Sequence, residues 1–122
     1  MTQTIILKQI PTLVNGLYHP TLRNGKLGIA KDRTALDFIK YVKMEALRQK
    51  VKLLENTQII FKADIMISKR KNYDIDAVLK LLLDSLEGVV YKNDKYIVDL
   101  HIRKHLLADE DEIVIMVSDY DK

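Results

Sequence analysis

Two hydrophobic periods, one of two residues and one of about 3.6, divide the chain into six elements. Thr4 to Gln9 is an apolar run with strand character that stops at Pro11. Thr57 to Ser68 alternates, with Ile59, Phe61, Ala63, Ile65 and Ile67 on one face and Gln58, Lys62 and Asp64 on the other. That is the pattern of a strand with one face in a core and one in water. Tyr96 to Lys104 alternates again, with Val98, Leu100 and Ile102 on one side. Glu112 to Val117 reads as a last strand behind the acidic turn Asp109-Glu110-Asp111. Between these, Lys31 to about Leu54 sets Leu36, Ile39, Val42, Ala46 and Leu47 at helical spacing opposite a charged face, with Asp32 placed as a cap. A second helix runs from Ile75 to Leu86 and ends before Gly88. It is apolar nearly all round and is therefore expected to be largely buried. Both prolines and three of the four glycines fall between Pro11 and Gly28, a segment predicted to be a loop or a pair of turns. The order strand, helix, strand, helix, strand, strand predicts an α+β fold. A mixed sheet of about four strands packs against two helices, in one domain over residues 1–122.

Composition narrows the classes. A hydrophobic fraction of 48% in 122 residues suits one globular core, and with 7% aromatics that core must be chiefly Ile, Leu and Val. The absence of cysteine excludes disulfides, zinc–thiolate sites and thiol nucleophiles. The N-terminus has neither the charged nor the long apolar region of a secretion signal, and Lys80 interrupts the longest apolar stretch, Ala77 to Leu83. A soluble, cytoplasmic protein without membrane partners is expected. A net charge of +3 permits nucleic-acid binding without requiring it, so the placement of charge matters more than its sum.

One segment departs from the plain pattern. Asp76, Lys80 and Asp84 follow at intervals of four and fall on one stripe of the second helix, with Asp74 at its start and Asn93-Asp94 in the turn beyond it. If that stripe is buried, each unpaired ion costs several kcal/mol, and something must compensate. Two compensations fit. In the first, Asp74 or Asp76 caps the helix while Lys80 pairs with Asp76 and Asp84 in an ordinary ladder. In the second, Asp74, Asp76 and Asp94 converge on a hard divalent cation, which favours carboxylate oxygens and keeps several waters.

These residues resemble the RusA-type Holliday-junction resolvases, small endodeoxyribonucleases encoded by phages and prophages. That family's core is a basic stretch, Asp-x-Asp-Asn, a lysine one helical turn later, an Asp-Ala-Leu-like step, and a loop ending in Asp-Asp before a strand. Its counterparts here are Lys69-Arg70-Lys71, Asp74-Ile75-Asp76-Ala77, Lys80, Asp84-Ser85-Leu86, and Asn93-Asp94 followed by Lys95-Tyr96-Ile97-Val98. Pro11, Asn15 and Tyr18 loosely resemble its N-terminal loop. Two positions depart: Ala77 stands for the family's Asn and Asn93 for the first of its paired aspartates.

The resemblance implies a Mg²⁺-dependent endodeoxyribonuclease, with Mn²⁺ as a substitute, that cuts four-way junctions and other branched DNA. Metal would be held by Asp74, Asp76 and Asp94, with Lys80 catalytic and Asp84 supporting it. Lys69, Arg70, Lys71, Lys92 and Lys95 would meet the DNA backbone, and no nucleotide cofactor is expected. A four-way junction is two-fold symmetric and needs two symmetric nicks, which implies a homodimer. His19, His101 and His105 have no second ligand at metal spacing and receive no role, and Tyr91 and Tyr96 are read as packing residues. The rival reading is a DNA-binding or assembly module of the same fold without turnover, marked by Ala77 and Asn93.

Overall fold

The structure, a computed structural model, describes residues 2–10, 18–23, 26–31, 33–68 and 73–120. Its elements are strands β1 (Thr2–Leu7), β2 (Tyr18–Arg23) and β3 (Lys26–Lys31), helix α1 (Arg33–Arg48), strand β4 (Ile59–Ser68), helix α2 (Ile75–Leu86), and strands β5 (Ile97–Ala108) and β6 (Glu112–Asp119). Four of these form one mixed sheet in the order β1-β6-β4-β5. β6 is antiparallel to both β1 and β4, whereas β4 and β5 are parallel. The expected α+β architecture of four strands and two helices is what the chain adopts.

Strand register explains where the core lies. Ile5 sits opposite Ile115, Ile115 opposite Ala63, and Ala63 opposite Ile102, so one row of apolar side chains crosses the whole sheet. A second row joins Leu7, Ile113 and Ile65. The strand residues of these rows that are buried pack with Ala35, Phe38, Val42 and Ala46 of α1 and Val78, Leu81, Leu82 and Leu86 of α2. Both helices thus cover one face of the sheet, as period-2 alternation in β4 and β6 requires. On the opposite face Lys62 and Met116 are exposed and Ile60, Asp64 and Val114 are half-buried.

Several expectations need correction. The segment expected as turns contains a two-stranded antiparallel hairpin, β2–β3, with Tyr18 opposite Lys31 and Arg23 opposite Lys26. Pro20 and Gly28, taken as loop markers, lie within these strands, as an isolated ribbon tolerates. Residues 11–17 and the proposed cap Asp32 lie outside the described residues. In α1 the buried stripe is Ala35, Phe38, Val42 and Ala46, while Leu36 and Leu47, expected on that face, are exposed, Leu47 by 81%. Either stripe has helical spacing; packing against β1 and α2 selects one.

α1 also ends at Arg48 and not near Leu54. Lys50 takes a left-handed conformation (φ 58°), its amide donates to the Leu47 carbonyl at 3.1 Å, and the Val51 amide donates back to Ala46 at 2.9 Å. This is a Schellman stop, a position that usually carries glycine because a Cβ is crowded there. Lys50→Gly should therefore raise stability by about 1 kcal/mol. Urea unfolding checks this, the midpoint moving up without a change in slope.

Candidate active site

α2 and the turn after it carry the acidic residues singled out in the sequence. Asp74 is the N-cap of α2, with extended backbone, yet its side chain makes no capping hydrogen bond. The Asp76 carboxylate accepts only the adjacent Ala77 amide among the hydrogen bonds seen, at 3.0 Å. Both residues are exposed at the helix N-terminus, where the peptide dipoles favour negative charge. Asp74 therefore does not perform the capping that would explain its presence.

The expected burial of this stripe is corrected here. Asp74, Ile75, Asp76 and Lys80 are exposed and Asp84 is half-buried, while Val78, Leu81, Leu82, Ser85 and Leu86 form the inward face. The helix is apolar enough to be wrapped, but the sheet and α1 cover only one side. Asp74, Asp76 and Lys80 thus stay in contact with water, and the desolvation cost of the stripe is small.

Beyond α2 the chain reverses tightly. Gly88 adopts φ +78°, and its amide donates to the Tyr91 carbonyl at 2.7 Å. The Leu54 amide donates to the Val90 carbonyl at 2.7 Å, tying this turn to the segment after α1. Tyr91 is fully buried: its ring meets Phe61 edge-on at 6.5 Å, and its hydroxyl donates to the Leu83 carbonyl at 2.7 Å. Burial holds the phenol protonated far above its ordinary range, and the negative charges of Asp94, Glu87 and Asp84 add to that effect. Those three carboxylates therefore lie within electrostatic reach of the Tyr91 phenol. Asn93 then caps the short 3₁₀ turn Asp94–Tyr96 by accepting the Lys95 amide at 3.0 Å. An aspartate would offer the same acceptor oxygen, which accounts for the departure at Asn93 without loss of the turn.

Glu87 escaped the sequence reading. Its carboxylate accepts the Asp94 amide at 3.3 Å and so steadies the residue of interest. The signal was available: an acid in the last residue before the helix-stopping glycine, near in sequence to Asp94.

Asp94 therefore belongs with Asp84 and Glu87 at the C-terminal end of α2, whereas Asp74 and Asp76 stand at its N-terminal end. Eight residues of helix separate Asp76 from Asp84, roughly 12 Å at 1.5 Å per residue. Lys80 lies halfway. Among the described residues no three His, Cys, Asp or Glu side chains are close enough to share a metal ion. Lys92 and Lys95 are exposed beside Asp94, with the Lys95 ammonium 5.4 Å from the Tyr96 ring centre, and Lys69, Arg70 and Lys71 lie outside the described residues.

The family model described as Endodeoxyribonuclease RusA matches residues 22–118, which include every one of these acids. The chain belongs to the RusA endodeoxyribonuclease family. Members of that family are DNA-cutting enzymes that act on branched junctions and generally depend on a divalent metal. A comparison with curated proteins found no match. Among the described residues no helix is long and apolar enough to cross a membrane.

For the RusA-family turn that holds Asp94, the buried phenol gives a measurable signature. Below its ordinary pKa of 10.0 Tyr91 is neutral both folded and unfolded and adds no pH dependence. Above it the unfolded chain releases the proton and the folded chain does not, so stability falls by about 1.4 kcal/mol per pH unit from this group. Tyr91→Phe should lower stability at neutral pH by about 1 kcal/mol, through the lost bond to Leu83, and should flatten the alkaline decline. Urea unfolding of both proteins from roughly pH 8 to 11 reads both effects.

Proposed function

We propose that this chain is a Mg²⁺-dependent Holliday-junction resolvase that acts in the cytoplasm as a homodimer, with Mn²⁺ as an alternative metal. The observation that carries the reading is the family match across residues 22–118. The donor set fits such an ion: Asp74, Asp76 and Asp94 offer hard carboxylate oxygens, two of them exposed and one without the capping bond its position invites. A bound divalent cation would supply an acidified water and neutralise charge on the phosphate oxygens. Lys80 lies one turn from Asp76 and brings a positive charge to the scissile phosphate, with Asp84 one turn further on to steady it. Lys69, Arg70, Lys71, Lys92 and Lys95 provide the backbone contacts that make binding salt-dependent.

The span of α2 argues that the ligands come from two chains. Within one copy Asp94 is a helix length from Asp74 and Asp76, and α2 is too well packed along Val78, Leu81, Leu82 and Leu86 to shorten. A second copy related by a two-fold axis brings its own Asp94 to the N-terminal end of the first α2. Two composite sites result, one for each strand to be cut.

The test uses a synthetic four-way junction in Mg²⁺ beside a linear duplex. Paired symmetric nicks in the junction alone are expected. Asp76→Asn and Asp94→Asn should each lower cutting by more than about 100-fold, beyond the loss typical of outer-shell groups, while junction binding persists. Mixing the two inactive variants should restore nicking. Random exchange gives half heterodimers, each with one intact site, or about a quarter of the wild-type sites. Restoration fails if each site lies within one chain. Binding without cutting in any divalent metal favours the non-catalytic module.

A further inference from the structure

β5 lies at the margin of the sheet and pairs with β4 alone among the described residues. On the side that the helices cover, Leu100 stands opposite Phe61 and Ile102 opposite Ala63. The next position on that side is Lys104, opposite Ile65. It extends the row of Leu7, Ile113 and Ile65, all three fully buried. A lysine at the end of an apolar row gives up rotamer freedom and part of its hydration, so its ammonium must find a compensating contact.

That contact is the start of α2. Lys104 is half-buried, and its ammonium donates to the Tyr73 carbonyl at 3.1 Å, across 31 positions of sequence. A carbonyl shares one rigid plane with the amide of the residue that follows it. The plane held by Lys104 is thus the one that joins Tyr73 to Asp74. Tyr73 packs against the core, and Asp74 continues in extended backbone, φ −66° and ψ 127°. Its own carbonyl then accepts the Val78 amide at 3.2 Å, while its side chain makes no capping bond. Asp74 owes its position to the backbone, and Lys104 fixes that backbone from the sheet.

We propose that Lys104 is a positioning residue for Asp74, gripping the Tyr73–Asp74 peptide so that the Asp74 carboxylate meets the divalent cation in one orientation. This rests on the reading of Asp74 as a metal ligand and adds a residue to that site.

Three observations support it. The first is the treatment of Asp94, which is also held through its peptide: Glu87 accepts the Asp94 amide at 3.3 Å. One acid is steered by an anion on its amide, the other by a cation on the carbonyl before it. Such charge-assisted bonds are stronger than neutral ones. The second is electrostatic. Peptide dipoles at a helix N-terminus disfavour a cation, and only the carboxylates of Asp74 and Asp76 reverse that preference. The third is specificity of contact. An inward-pointing lysine on an edge strand can also discourage the addition of further strands. That task needs a charge but no particular partner, whereas Lys104 is bonded to the residue before a ligand.

Lys104→Met keeps the stem and continues the apolar row without the ammonium, and Lys104→Arg keeps a donor. Lys104→Met should unfold near the wild-type urea midpoint, with oligomeric state and metal-free junction binding unchanged. Its Mn²⁺ binding, read without DNA from the free-ion signal in electron paramagnetic resonance, should weaken by about 10- to 100-fold, as for other groups that orient a ligand. The Mg²⁺ concentration for half-maximal junction cutting should rise in step. Lys104→Arg should restore most of both. Asp74→Asn is the reference. If it loses Mn²⁺ binding while Lys104→Met binds as wild type, the positioning role is overturned and the ligand stands. If Asp74→Asn itself binds Mn²⁺ as wild type, the ligand reading fails and the positioning role with it. A Lys104→Met protein with altered junction affinity or oligomeric state, but wild-type Mn²⁺ affinity, also overturns the proposal, since the lysine then serves the DNA or the sheet edge.

Discussion

Parallel strands cannot be joined by a tight turn, and that constraint organises this protein. Between β4 and β5 the chain must return the full length of the sheet, and α2 makes the return. The start of α2 therefore lies at one end of the sheet and the turn that follows it at the other. Asp74 and Asp76 belong to the first end, Asp94 to the second. Among the described residues, therefore, no three of these acids stand close enough to share a metal ion.

The two ends of α2 are built differently, for reasons of solvation. At the helix N-terminus the carboxylates are exposed and stand where the peptide dipoles favour negative charge. At the other end Asp94 is held by a small framework: Glu87 accepts its amide, Asn93 caps its turn, and buried Tyr91 pins the preceding loop to Leu83 and Phe61. The order in this loop comes from packing, because a phenol buried among acids must stay neutral and hydrogen-bonded.

Much of this was legible in the residues. Alternation in 57–68 gave the buried face of β4 correctly, because a sheet covered on one side tolerates no other pattern. Gly88 marked the end of α2, and the spacing of Asp74, Asp76, Lys80 and Asp94 pointed to the family. Other features were ambiguous for physical reasons. Leu36 and Leu47 share the helical period with Ala35, Phe38, Val42 and Ala46, and periodicity has no means of ranking two stripes. The hairpin at Tyr18–Lys31 contains Pro20 and Gly28, which local propensity assigns to turns. Lys50 stops α1 in a conformation that its side chain disfavours, so no residue preference announces it.

Sequence alone determined the four strands of the main sheet and the two helices, the buried face of β4 and the family's set of acids, because these follow from local periodicity and residue chemistry. Tertiary structure decided how far apart the acids stand, which faces the helices expose and which edge is left open. Those are distances between elements far apart along the chain, set by strand order and by the length of α2, and no local pattern encodes them.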